Sequence, residues 1–161
     1  MKIKSGKTLK TVLAVFTALI CIFIWSNSLT GAEASKQISG EVAEAVSGAF
    51  SGEDGLPKPA GFIVSHIRKF AHIAEFMALG LVLYICLRVE NENDGIFKTA
   101  LKALLIAFIV AFTDESIQMF IPGRSAEIGD VWIDLSGAAA GIAIAVIAAF
   151  IKKAVSGKNS K

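Results

Sequence analysis

Four apolar runs, each about the length of a membrane crossing, leave this chain few ways to fold. They extend from Leu9 to Leu29, Ser65 to Leu87, Thr99 to Ile121 and Asp130 to Ile151. A helical crossing takes about 20 mainly apolar residues. Lipid offers no partner to an exposed peptide group, so each run must close its own backbone hydrogen bonds. Composition agrees: 54% of the 161 residues are hydrophobic and 19% charged, and the mean hydropathy is +0.63. The charges gather between the runs, a balance foreign to soluble domains of this length. The chain is therefore predicted to be an all-α, polytopic membrane protein, one domain over residues 1–161, folded as a four-transmembrane-helix bundle.

Lys and Arg placement sets the orientation. With the N-terminus inside, the inner segments hold eleven basic residues: Lys2, Lys4, Lys7, Lys10, Arg88, Lys98, Lys102, Lys152, Lys153, Lys158 and Lys161. The outer segments hold five: Lys36, Lys58, Arg68, Lys69 and Arg124. Both termini are thus expected on the cytoplasmic side of the membrane. A signal peptide is the competing reading of the first run, given its basic start and the small-residue stretch Ala32-Glu33-Ala34. The uncharged run is long for that role and continues through Trp25 to Leu29, which favours a retained helix.

Between the first two runs, Ile38, Val42, Val46 and Phe50 recur every four residues, with Lys36, Glu41 and Glu44 on other faces. This predicts a short amphipathic helix in the first outer loop. Gly52 to Gly61, with Pro57 and Pro59, ends it. Glu90 to Gly95 reads as a polar turn. Cys21 and Cys86 lie in separate apolar runs and read as small hydrophobes, with no disulfide or metal role.

Ionisable groups inside a span cost roughly 2.5–3.5 kcal/mol each on insertion scales, and they face a protein interior or a watery cavity. Here they share one depth. His72 and Glu75 are three apart near the start of the second helix, and so share a face. Asp114, Glu115 and Gln118 lie toward the end of the third. Asp114 precedes Pro122 by eight residues, about 12 Å along a helix. Asp130 and Asp134 are four apart at the start of the fourth. Lys69 and Arg124 flank this layer, Arg124 on the turn Ile121-Pro122-Gly123-Arg124. Arginine suits that place because its planar fork binds two carboxylate or phosphate oxygens. Asp130, Asp134, Gly137 and Gly141 follow spacings of four, three and four, which sets the two acids on the face of a G-x-x-x-G contact with a neighbouring helix.

These residues resemble the VanZ-like membrane protein family. The similarity runs through Lys69-Phe70-Ala71-His72-Ile73-Ala74-Glu75-Phe76, then Asp114-Glu115-Ser116-Ile117-Gln118, then Phe120-Ile121-Pro122-Gly123-Arg124, Asp130, Gly137 and Gly141. The exit of the first helix, Trp25-Ser26-Asn27-Ser28, with Ser35 and Ser39 beyond, is also similar. The sequence departs from the family pattern at Asp134, where Asn is expected, and this adds a negative charge to the layer. The resemblance implies the topology and the polar layer; the family takes its name from a protein associated with low-level teicoplanin resistance, and most members have no assigned biochemical activity. It implies no reaction.

Three functional readings stand. In the first, the protein modulates the cell envelope and glycopeptide susceptibility by binding a lipid-linked wall precursor or a glycopeptide at an outer-face polar pocket. Lys69, His72, Glu75, Asp114, Glu115, Gln118, Arg124, Asp130 and Asp134 would form that pocket. In the second, it is a membrane enzyme acting on phospholipid or polyprenyl-phosphate head groups, with Arg124 and Lys69 holding phosphate while His72 and an acid move protons. In the third, it is a structural membrane subunit whose polar groups pin helix register. No spacing-defined metal motif assigns a metal, although Asp114, Glu115, His72 and Asp130 are a donor set that could take a divalent ion. The sequence identifies no cofactor. Membrane lipids are the expected surroundings, and no basic stretch with interleaved aromatics points to nucleic acid.

Overall fold

The computed structural model describes residues 3–29, 37, 40–42, 44, 45, 48, 66–91, 93–122 and 127–158. Four long helices dominate: α1 (Ile3–Ser28), α2 (Ile67–Glu90), α3 (Ile96–Gln118) and α4 (Ile128–Lys158). No strand occurs among the described residues. The all-α expectation is met, and all four helices are long and apolar enough to cross a membrane, over Gly6–Ser28, Lys69–Glu90, Ile96–Gln118 and Ile128–Ile151. Gln37, Gly40–Val42, Glu44, Ala45 and Gly48 are helical, within the segment expected to form the amphipathic helix. Its apolar positions Ile38, Val46 and Phe50, and the break from Gly52 to Gly61, lie outside the described residues. So do Gly123 and Arg124.

The chain alternates direction. Lys10 Nζ reaches the Glu90 carbonyl at 3.3 Å at one end of the bundle, while Asn27 meets Glu75 at the other. The first of these is called the loop end below and the second the polar end. At the loop end, Asn91 N–H caps α2 through the Leu87 carbonyl. Gly95 takes up extended backbone to begin α3, and its carbonyl accepts the Thr99 hydroxyl at 3.2 Å. At the polar end Pro122 follows the last turn of α3, consistent with its missing N–H and fixed φ.

What the helices bury differs from a soluble core. Ala103, Ala107 and Ala111, four residues apart along α3, are fully buried, as are Phe76 and Leu79 of α2. Large apolar side chains point the other way: Phe16, Leu19, Phe23, Leu105, Ile109, Phe112, Ile147 and Phe150 are each more than half exposed. In water that surface would drive aggregation. Against acyl chains it is the stable arrangement, and small residues then hold the helices together by close approach.

The closest approach is between α2 and α4. A Cβ added at Gly141 would stand 2.0 Å from the Met77 carbonyl oxygen, one at Gly137 2.5 Å from that of Ile73, and one at Gly80 2.2 Å from that of Ala138. The expected G-x-x-x-G contact therefore exists. Its partner is α2, which answers with a glycine of its own. Cys21 and Cys86 are both free thiols.

Candidate functional site

The α2–α4 contact sets the register of the polar end. With Gly137 against Ile73, one turn toward the polar end brings Asp134 to His72 and the next brings Asp130 to Lys69. Asp134 Oδ1 stands 3.5 Å from His72 Nδ1, and Asp130 Oδ1 stands 3.3 Å from Lys69 Nζ. The spacing of four on α4 thus matches residues one turn apart on α2. Lys69 is about half exposed, its side chain retaining 47% of its accessible surface, while Asp134 retains none. Charge pairing is consequently wet at the helix start and dry one turn in.

From α3, Asp114 enters the same space. Its Oδ1 accepts the Ser28 hydroxyl at 2.5 Å, its Oδ2 accepts a Gln118 amide N–H at 2.9 Å, and that oxygen lies 4.0 Å from His72 Nδ1. Gln118 also donates to Ser28 Oγ at 3.3 Å. Ser28, Asp114 and Gln118 are each at most 1% exposed, so this triangle is sealed from solvent. Such a network stands or falls by being satisfied, because an unpaired polar group there keeps its full desolvation cost.

Glu75 and Glu115 turn away from the centre. Three residues along a helix advance the direction by about 300°, so Glu75 is rotated from His72 toward α1, where Asn27 Nδ2 donates to its Oε1 at 2.7 Å. Its Oε2 is buried without a partner among the described residues. Glu115 Oε2 accepts the Glu127 backbone N–H at 3.1 Å, tying the end of α3 to the residue before α4. Neither acid shares a hydrogen bond with His72 among the described residues.

These contacts place eight of the nine residues singled out in the sequence. His72, Asp114, Gln118 and Asp134 form one connected group, Lys69 and Asp130 pair beside it one turn nearer the helix starts, and Glu75 and Glu115 border it. Arg124 lies outside the described residues, as does the side chain of Arg68, so the expected neutralisation by those two has no geometry here. The donor set considered for a cation, Asp114, Glu115, His72 and Asp130, is rearranged. Glu115 is engaged by Glu127 and Asp130 faces Lys69, whereas Asp134 moves in beside His72. His72 Nδ1 and one carboxylate oxygen each from Asp114 and Asp134 lie within 4.8 Å of one another.

Two contributors come from outside the expected setting of α2, α3 and α4. Asn27 and Ser28, at the end of α1, supply the donors for Glu75 and Asp114. The signal was present in the run Ser26-Asn27-Ser28 closing an otherwise apolar helix, but a linear pattern does not say which acid each side chain meets.

Chemically, the layer and its border are acidic: three aspartates in it and two glutamates beside it accompany one imidazole and one ammonium among the described side chains. The layer suits an incoming cationic group, or an anion bridged by a cation, and its His72 stands between the carboxylates of Asp134 and Asp114. The family model described as VanZ/LLP1 matches residues 12–149, from within α1 to within α4. No curated protein and no solved structure matches the chain.

Proposed function

The chain belongs to the VanZ-like family, and on that premise we propose that it is an envelope protein of the bacterial cytoplasmic membrane that binds a lipid-linked wall precursor or a glycopeptide at its polar end. One observation carries the reading: all four helices deliver polar side chains to the same end of the bundle, and the fully buried ones include two carboxylates, Asp114 and Asp134. Helix packing alone has no need of them, since the α2–α4 contact is already made by Gly80, Gly137 and Gly141. Groups this costly within a span mark function by default. The predicted orientation would turn the polar end to the outer face, where wall precursors and glycopeptides are found. Their ammonium groups match the acidic layer, and half-exposed Lys69 stands at its edge for phosphate or carboxylate.

The test is teicoplanin susceptibility in cells carrying empty vector, wild type, Asp114→Ala or Arg124→Ala, at matched membrane levels. The wild type is expected to lower susceptibility and both variants to return it toward the vector. Equal susceptibility in all four would overturn the reading.

A second reading has one observation in its favour. His72 Nδ1 sits between Asp134 at 3.5 Å and Asp114 at 4.0 Å, an arrangement suited to general acid–base work. In that case the protein is an enzyme acting on phospholipid or polyprenyl-phosphate head groups. Turnover of such lipids by purified protein, lost in His72→Gln, would favour the enzyme over the binding protein.

A further inference from the structure

We propose that His72, Asp114 and Asp134 form a binding site for a first-row divalent cation of the Zn2+ or Mn2+ class, held between α2, α3 and α4. The inference deepens the reading above and rests on the polar layer being a ligand site; its own test reads metal on purified protein.

The starting point is Asp134. Its side chain is 0% exposed, and neither carboxylate oxygen has a hydrogen-bond partner among the described residues. The 3.5 Å to His72 Nδ1 exceeds the 2.7–3.2 Å typical of an N–H···O bond. Buried carboxylates are otherwise paired or coordinated to metal. Asp134 thus presents two carboxylate oxygens without a hydrogen bond among the described residues to a space that His72 Nδ1 also borders.

Asp114 completes the set, and its surroundings are those of a ligand. Ser28 and Gln118 each donate to one of its oxygens, which fixes the carboxylate plane. Outer partners of this kind orient ligating carboxylates and are typical of metal centres. They arrive from α1 and from α3 itself, and one carboxylate oxygen of Asp114 lies within 4.8 Å of the His72 and Asp134 ligand atoms.

Distances fit. Bonds of about 2.0–2.2 Å in tetrahedral geometry put neighbouring ligand atoms roughly 3.4 Å apart. His72 Nδ1 and Asp134 Oδ1 already stand at 3.5 Å. His72 Nδ1 and Asp114 Oδ2, at 4.0 Å, would close by roughly 0.6 Å to reach that spacing, within reach of a small χ rotation. One imidazole with two carboxylates is a borderline donor set. It suits Zn2+ or Mn2+ over Mg2+ and Ca2+, which take oxygen ligands, and over soft ions, which take thiolate. Charge favours the same conclusion, since a divalent cation cancels both carboxylates in a low-dielectric space where two bare negative charges are strongly unfavourable. Three protein ligands leave a fourth position for water or for an anionic oxygen of a bound molecule.

The experiment uses the full chain, purified in detergent, stripped with EDTA and titrated with Zn2+, Mn2+ and Mg2+ by calorimetry, with bound metal counted after desalting. The expected result is one Zn2+ or Mn2+ per chain and a higher thermal midpoint on binding. Asp134→Asn keeps the side-chain shape and removes the charge, so it should fold while weakening binding by more than about tenfold, the least seen when even an outer partner of a metal is lost. His72→Ala should abolish binding, and Asp94→Asn, at the loop end, should leave it intact. Absence of stoichiometric metal, binding of Mg2+ alone, or equal affinity in wild type and Asp134→Asn would each overturn the site and leave a proton shared by His72 and Asp134. A failed susceptibility test with intact metal binding would instead remove the glycopeptide reading and keep the site.

Discussion

Asp94, in the short connection between α2 and α3, gathers three basic residues. Lys102 Nζ lies 2.6 Å and Lys98 Nζ 2.7 Å from its carboxylate, and Arg88 donates to its backbone carbonyl. The Lys102 hydrogen bond first, and the Lys98 hydrogen bond next, hold its pKa below that of an ordinary aspartate. A carboxyl group whose pKa is lower folded than unfolded contributes stability above its unfolded pKa and loses it as pH falls through the folded value. The difference in thermal midpoint between wild type and Asp94→Asn should therefore be constant above about pH 4 and close below it. A difference unchanged to pH 2 would mean that the pairs contribute nothing. At this scale the sequence was half legible. Expense within a span identified His72, Asp114 and Asp134 as a class, because a charge in lipid needs a reason wherever it sits. Pairing was not legible: Asn27 with Glu75, Ser28 with Asp114, and Asp94 with its lysines depend on rotation and depth between helices. Glu90 to Gly95 accordingly read as a bare polar turn.

Among the helices, α2 and α4 form the tightest pair, and the reason is steric. Gly137 and Gly141 on α4 and Gly80 on α2 let backbone lie on backbone, with no room for even one Cβ. The register so fixed carries Asp134 to His72, so the packing of the middle of the bundle positions the chemistry of its end. Replacing Gly141 by Leu should separate α2 from α4, at a cost of about 1–3 kcal/mol for overpacking. It should also move Asp134 away from His72 although neither residue is changed. The thermal midpoint reports the lost packing, and Zn2+ affinity reports the displaced site. An unchanged midpoint and affinity in Gly141→Leu would mean that the contact does not set the register. The α4 half of this interface could be read from the spacing of Asp130, Asp134, Gly137 and Gly141. Gly80 could not, for one small residue in an apolar run names no partner.

For the whole molecule, the sequence carried the fold because lipid permits so few alternatives: four apolar runs of spanning length become four helices, and their order fixes which ends meet. It also brought the polar residues to one end, since Asn27, His72, Asp114 and Asp134 lie near a terminus of their helices and the chain reverses between them. Which side of the membrane that end faces is a separate matter, set by basic residues near the spans and little affected by nearby acids. Arg88, Lys98 and Lys102 therefore retain their pull toward the cytoplasm although Asp94 pairs with two of them. Together with the basic residues of the N-terminus and tail, they are expected to outweigh Lys36, Lys58, Arg68, Lys69 and Arg124. In a chain with Cys21 and Cys86 replaced, cysteine placed at Ser125 should react with a membrane-impermeant maleimide in intact cells, while cysteine at Asn93 should react only after permeabilisation. The opposite pattern would put His72, Asp114 and Asp134 next to the cytoplasm. A wall precursor or glycopeptide at the outer face could then not reach them, whereas the cation site, which depends on the distances among three side chains, would stand unchanged.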